Sequence, residues 1–468
     1  MARTSVCTWL LFFFLLGFST TLQAQSPGGV PPVAGAPDTQ MGMDARLGYG
    51  MLGEDHFLTI APGFSFGFGK IKFGIQAPLR IRLIDNKPKQ NSWVREEDWD
   101  EPSDWTRILR FFQYGEPRDV FYRRLGELVA SSIGHGTIIH RYYNTLELDH
   151  YHTGLSTKLN LEDGGVEFLT NDVLSWNMVG LRGYIYPFKL LMDNPHWLLK
   201  RLAVGTTFAS DFIAPWELTM ETDGAGTHPR VDSTNSLDYK ARVAWFWGLD
   251  LELRVVDTKT LYVTPYTDFN VFAGQGVGWH LGVLNGLRWL DSEFELRLEY
   301  RLVGAGYAPS YFNTLYDLER LQFLPLASGG QALTKYRYYE EADLDLIHGF
   351  YGELYMNILG LVGIGGSYED YQGDDNASVT LRLDLPEIAR VKLAAYYARR
   401  NFDGFSELFS LDDAYGVAEA RVKVAGPLFL FGIYSIHWVL NDDVTSSKYG
   451  EYEASDDFQV GAGVAFSF

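Results

Sequence analysis

Residues Glu293 to Leu302 read EFELRLEYRL, and they say more about the fold than any other ten residues of the chain. In an extended chain Phe294, Leu296, Leu298, Tyr300 and Leu302 share one face. Glu293, Glu295, Arg297, Glu299 and Arg301 share the other. A period of two is that of a β-strand with one apolar and one polar side.

The same period recurs on either side. From Tyr239 to Val255, apolar side chains at Val243, Trp245, Trp247, Leu249, Leu251 and Leu253 oppose Lys240, Arg242, Asp250, Glu252 and Arg254. Ala377–Leu385 repeats it with Ser378, Thr380, Arg382 and Asp384, and so do Leu79–Leu83 and Val391–Tyr397. Strands of soluble sandwiches are typically about five or six residues long, whereas a tilted strand needs about 9–11 to cross a bilayer. No repeat of propeller-blade length is present, which counts against a large soluble β-protein. Tight turns at Ala425-Gly426-Pro427, Pro386-Glu387-Ile388, Asp257-Thr258-Lys259 and Glu162-Asp163-Gly164 alternate with long polar segments at 85–118, 212–238, 304–345, 400–413 and 441–456. Short turns on one side and long loops on the other are the asymmetry of an outer-membrane barrel. The expected fold is all-β, a transmembrane antiparallel β-barrel of about twenty strands with long extracellular loops. The number is even, with 16–22 compatible. The first strand is expected near residue 43 and the last ends at Phe468.

That last strand is the most specific stretch. Phe458, Val460, Ala462, Val464, Phe466 and Phe468 alternate with small or polar residues. It resembles the carboxy-terminal targeting strand of Gram-negative outer-membrane β-barrel (porin-like) proteins, which closes on an aromatic residue. The resemblance implies that Val464, Phe466 and Phe468 form an assembly signal read by the barrel-assembly machinery.

The other end predicts export. Arg3 followed by the apolar run WLLFFFLLGF (Trp9–Phe18) and by small residues up to Ala24 reads as a signal peptide over 1–24. Residues 25–42 form a Pro/Gly-rich flexible leader, too short for a plug domain, and 43–468 the barrel. The only cysteine, Cys7, lies within the signal, so the exported chain cannot rely on disulfides. Aromatic residues make up 15% of the chain and charged ones 21%. Mean hydropathy stays near zero because only alternate residues meet lipid. A net charge of -20 argues against nucleic acid as a partner.

Inward-facing charges are the candidate site. Arg80, Arg82, Arg242, Arg254, Arg297, Arg301, Arg382, Arg390, Lys392, Arg421 and Lys423 are expected to line a pore together with Glu252, Glu295, Glu299, Asp384 and Glu419. Opposed rows of both signs set a transverse field and a size limit in a pore; the competing reading is a packed lumen whose charges merely pair. Acidic groups at 96–104, 340–345 and 451–457 read as solvated loop charge. His150 and His152, two apart, would share one side of a strand, yet lack a defined third ligand. Gly134-His135-Gly136-Thr137 reads as a tight turn, since no nucleophile motif accompanies it, and Ser310–Leu321 is briefly helical. No catalytic residue, metal site or cofactor is expected. The expectation is a porin-like channel for passive diffusion of small polar solutes, not an enzyme. The rival is a non-conducting barrel serving as surface receptor, adhesin or structural partner. Expected partners are outer-membrane lipid and lipopolysaccharide, the assembly machinery and small polar solutes, and an oligomer is compatible with these.

Overall fold

A computed structural model describes residues 39–467 except 87–91, 147–148, 224–225, 233–234, 324–332, 342–345, 374–375, 405, 409–413, 442, 444–445 and 447. The expected signal peptide and Phe468 therefore lie outside the described residues. Twenty strands follow one another up and down. They begin with β1 (Thr39–Leu52), β2 (Asp55–Phe68), β3 (Ile71–Gln76 continued by Leu79–Ile84), β4 (Leu109–Tyr114) and β5 (Phe121–Gly126). Next come β6 (Gly154–Leu161), β7 (Gly164–Thr170), β8 (Met178–Ile185), β9 (Leu202–Leu218) and β10 (Tyr239–Leu253 with Val256–Asp257). Then follow β11 (Leu261–Phe272), β12 (Gly276–Trp289), β13 (Ser292–Val303), β14 (Ile347–Ile358) and β15 (Val362–Tyr371). The last are β16 (Ala377–Ile388), β17 (Val391–Phe402), β18 (Ala414–Ala425), β19 (Leu428–Leu440) and β20 (Tyr452–Ser467).

Each strand pairs antiparallel with its neighbours, and β20 closes on β1 in register from Gly42↔Ser467 to Gly50↔Gln459. Closure matters physically. A lipid-exposed sheet edge would leave backbone N–H and C=O groups unpaired, and a closed ring has no edge. The chain is a transmembrane antiparallel β-barrel of the outer-membrane type. Its first strand begins at Thr39, inside the stretch read as leader.

The alternation reads correctly on the wall. Leu296 and Leu298 are 37% and 48% exposed on the outside, whereas Arg297 and Glu299 between and beside them are 6% and 3% exposed within. Val243, Trp245, Trp247, Leu249 and Leu251 continue the outer belt on β10. Arginine at Leu296 or Leu298 should therefore cost about 2–4 kcal/mol near the bilayer midplane. Urea titration in vesicles measures it, and an equal tolerance of charge on both faces would mean the register is wrong.

Three connections differ from the sequence reading. Residues 85–118 are not one loop, because Leu109–Tyr114 returns to the wall as β4. Pro386-Glu387-Ile388 is not a turn: a β-bulge between Leu385 and Ile388 keeps these residues in the strand, and the chain reverses at Ala389–Arg390, both at positive φ. The third is a long connection over 127–153, whose apolar residues, among them Leu128, Val129, Ile138 and Ile139, resemble wall rather than loop.

Candidate functional site

The bore is occupied by two connections from the long-loop side. These are residues 127–153 and 304–346; residues 137–140 of the first and 310–312 of the second meet inside the ring as a short parallel ladder. Ser310 N–H donates to Thr137 O (2.9 Å), Phe312 N–H to Ile138 O (3.1 Å) and His140 N–H to Phe312 O (3.0 Å). Both loops then bury an apolar cluster against inward-facing wall residues. Phe246 of β10 and Phe272 of β11 stack at 4.1 Å, and Tyr311, Phe312, Tyr316 and Tyr336 close around them. Glycines make the sockets. A Cβ at Gly278 would lie 2.1 Å from the Tyr307 ring, and one at Gly180 would lie 2.3 Å from the Ile139 side chain.

Charged groups tie this unit to one arc of the wall. His135 donates to Asp268 (2.8 Å) and Glu252 (3.1 Å) while stacking on Tyr266 at 4.0 Å. Burial alone would lower its pKa, but the Asp268 and Glu252 carboxylates outweigh it and raise the value to about 10. His140 goes the other way. Its burial outweighs Glu353 and lowers its pKa to about 4, so this ring is neutral where His135 is charged. Its Nε2 lies 2.8 Å from the Tyr351 hydroxyl and 3.3 Å from Glu353, which Arg141 also pairs with. Deeper in the loop, Tyr316 donates to Asp211 (2.6 Å), Tyr142 to Asp317 (2.8 Å), and Lys335 pairs with Glu319 (2.5 Å).

The wall beside the loops carries its own network. Glu299 of β13 accepts from Arg297 and, at 2.7 Å, from Arg301; Arg301 also reaches Glu369 (2.7 Å) and the Tyr371 hydroxyl (2.7 Å). Arg182 holds Asp250 (2.6 Å) and Glu167 (3.1 Å).

Most of the sixteen expected pore residues face inward, in different settings. Glu252, Arg297, Glu299 and Arg301 are buried in the networks above. Arg82 pairs with Asp55 (2.8 Å), and Glu419 pairs with Arg421 and lies 3.4 Å from Arg46. Arg382, Asp384 and Lys392 face the bore from β16 and β17, Arg382 and Lys392 half-buried. The rest sit at the ends. Arg242 lies at the outer rim, stacked 3.7 Å over Trp216 and paired with Glu340. Arg254 and Lys423 are exposed at the inner mouth, Lys423 3.3 Å from Glu387, and Arg390 lies in a turn beyond the wall because the bulge lengthens β16. Glu295 accepts from Tyr262 (2.7 Å) and, with Glu293, from Arg118 of the β4–β5 turn. That turn and β13 are eight strands apart around the ring. A circular section of twenty strands at about 4.8 Å spacing would hold them beyond an arginine's reach, so the inner mouth is pinched.

Three readings of polar groups are corrected. Asp457, read as solvated loop charge, is buried on β20, 2.5 Å from His437 Nε2. Asp98 and Asp104 are fully buried rather than solvated: Arg80 (2.5 Å), Arg95 (3.0 Å) and Arg107 (3.3 Å) converge on Asp98. Arg80 is thereby turned towards this loop. His150 and His152 lie in the irregular end of the 127–153 loop, not on a strand, and His150 Nε2 meets Ser236 Oγ at 2.9 Å. Glu340 and Glu341 are exposed, and Asp343 and Asp345 lie outside the described residues. The short helix α2 (Tyr316–Glu319) falls where helical character was expected. Sequence reading placed His135 in a tight turn without its partners, and missed the roles of His140, Asp211, Asp268 and Glu353, whose partners are more than a hundred residues away in most cases. The inward glycines of β12 were a usable signal, since a strand face without side chains leaves room for something to pack on it.

The fold and its contents define a membrane-spanning β-barrel whose bore is filled in part by its own loops. No protein-family model matches the chain, and no curated protein matches it in sequence. Among solved structures it is similar to the outer membrane protein OpdK from Pseudomonas aeruginosa, at 11% identity and a TM-score of 0.32 over 92% of this chain and 99% of that one. A BenF-like porin from Pseudomonas fluorescens Pf-5 gives 10% identity and a TM-score of 0.33 over 92% and 99%.

Proposed function

We propose that the protein is an outer-membrane, porin-like channel for small polar solutes, narrowed by its own loops, and not an enzyme. One observation carries this reading. The loops pack on β7–β14 and also on β17–β20, through Tyr396, Tyr415, Arg400 and Tyr452, while nearer the inner mouth β1, β4, β16 and β17 turn charged side chains inward. Asp44, Arg110, Arg382 and Lys392 are only half-buried there, which leaves a charged path along the wall. The sixteen residues named above are proposed to line or support that path. The aromatic cluster favours the second reading, a non-conducting barrel that displays its loops as receptor, adhesin or structural partner. Planar-bilayer recording of the purified protein separates them. Discrete conductance steps with a salt-dependent reversal potential are expected, and a folded protein without any would sink the channel reading.

We also propose export through residues 1–24, with contact to lipopolysaccharide by the long loops. The β20 end serves as the signal to the assembly machinery. Phe458, Val460 and Phe466 present an exposed outward row on β20. Phe468→Ser and deletion of Phe468 should both lower the amount of heat-modifiable barrel in the outer membrane. Unchanged amounts in both would remove this role.

A further inference from the structure

We propose that the β8–β9 connection, residues 186–201, lies in the membrane interface and binds the headgroups of anionic phospholipid on the short-turn side. The inner connections are otherwise tight, but this one is long and contains the helical turn α1 (Pro187–Leu191). It exposes Leu190 (56%), Leu191 (79%), Met192 (47%) and Trp197 (56%). Four large apolar side chains in eight residues fit poorly against water, and they continue the outer belt directly. Leu181 and Ile185 of β8 and Val166 of β7 are exposed on the outer wall just above.

The charges around them select the lipid. Lys189, Lys200 and Arg201 outnumber Asp193 in a chain whose net charge is -20. Lys189 sits 4.6 Å over the Tyr186 ring and donates to Glu162 O (2.7 Å); Arg201 packs 5.5 Å from the Trp197 ring, and Lys200 is exposed. Glu162 and Asp163 of the adjoining β6–β7 turn, whose carbonyls accept from Lys189 and from the Tyr186 N–H, are opposing acids beside these cations. Aromatic residues with lysine and arginine at the ends of an apolar belt are an interfacial pattern, and juxtamembrane cations attract anionic lipid. The inference rests on the membrane-crossing wall and not on conduction.

The test uses the full chain carrying Cys7→Ser and Leu191→Cys, with a nitroxide at 191, in vesicles of phosphatidylcholine with or without phosphatidylglycerol. The label should collide with oxygen in preference to a water-soluble nickel chelate. Spin-labelled phosphatidylglycerol should be retained at the protein over phosphatidylcholine. Lys189→Gln, Lys200→Gln and Arg201→Gln together should cut that preference on the order of five-fold or more. In the unaltered protein, about 1 M salt should cut it too, because the screening length falls to about 3 Å. A label in water, as a protein-binding surface would give, overturns the proposal. So does a preference indifferent to both the three substitutions and salt.

Discussion

Replacing residues 305–345 by a short Gly/Ser link should raise single-channel conductance several-fold, and shortening 127–153 as well should raise it further. The expectation follows from how the two loops hold each other. Without Phe312 the 137–140 segment loses its ladder partner, and Phe246 and Phe272 lose the rings that cover them. His135 would still anchor the first loop through Asp268 and Glu252. The single deletion should therefore give a wider but noisier channel, and the double deletion a wide and quiet one, since a ring of this many strands encloses an aqueous bore. Heat-modifiable mobility shows whether each variant has folded. Folded deletion variants with unchanged conductance would mean that the loops do not set the bore.

Glu299→Gln should destabilise the barrel by about 3–5 kcal/mol, the range for removing one partner from a buried ion pair. Glu299 has no exposed side-chain surface, and neither has Arg301; Arg297 retains 6%. Glu369 still faces Arg301 in the variant, but Arg297 is left with its charge among Tyr266, Tyr351 and the His140 ring. Glu293→Gln on the same strand is the control. Its pairs with Arg118 and Arg288 are exposed, and such pairs contribute about 0–1 kcal/mol. Urea midpoints of the two variants in vesicles should separate clearly. Equal midpoints would show that the β13 charges are not a buried network.

The wall was legible in the sequence because alternation is a local signal. EFELRLEYRL needs no partner to reveal which side is wet, and the register of β13 follows from it. Parity does not reveal depth along the strand. Arg242 and Arg297 both read as inward, but one lies at the rim on Trp216 and the other in a dry network. Nor does parity reveal what the inward face meets. Residues 127–153 contain Ile133, Ile138, Ile139 and Leu146, and a segment that packs a core inside a ring looks like wall. The acids at 96–104 look solvated because the arginines that bury Asp98 are spread over residues 80–107. Such pairings are settled only when the ring closes and the loops turn in.

The aromatic cluster in the bore gives this barrel a second apolar phase, separate from the lipid belt. Belt side chains pass from water to hydrocarbon as the strands insert. Phe246, Phe272, Tyr311, Phe312 and Tyr316 instead leave water for one another, as in a soluble protein. Burial of that kind carries a heat-capacity change of its own. Part of the thermal response of this membrane protein is thus written inside the ring. It stays the same in thick or thin bilayers, and it weakens on cooling.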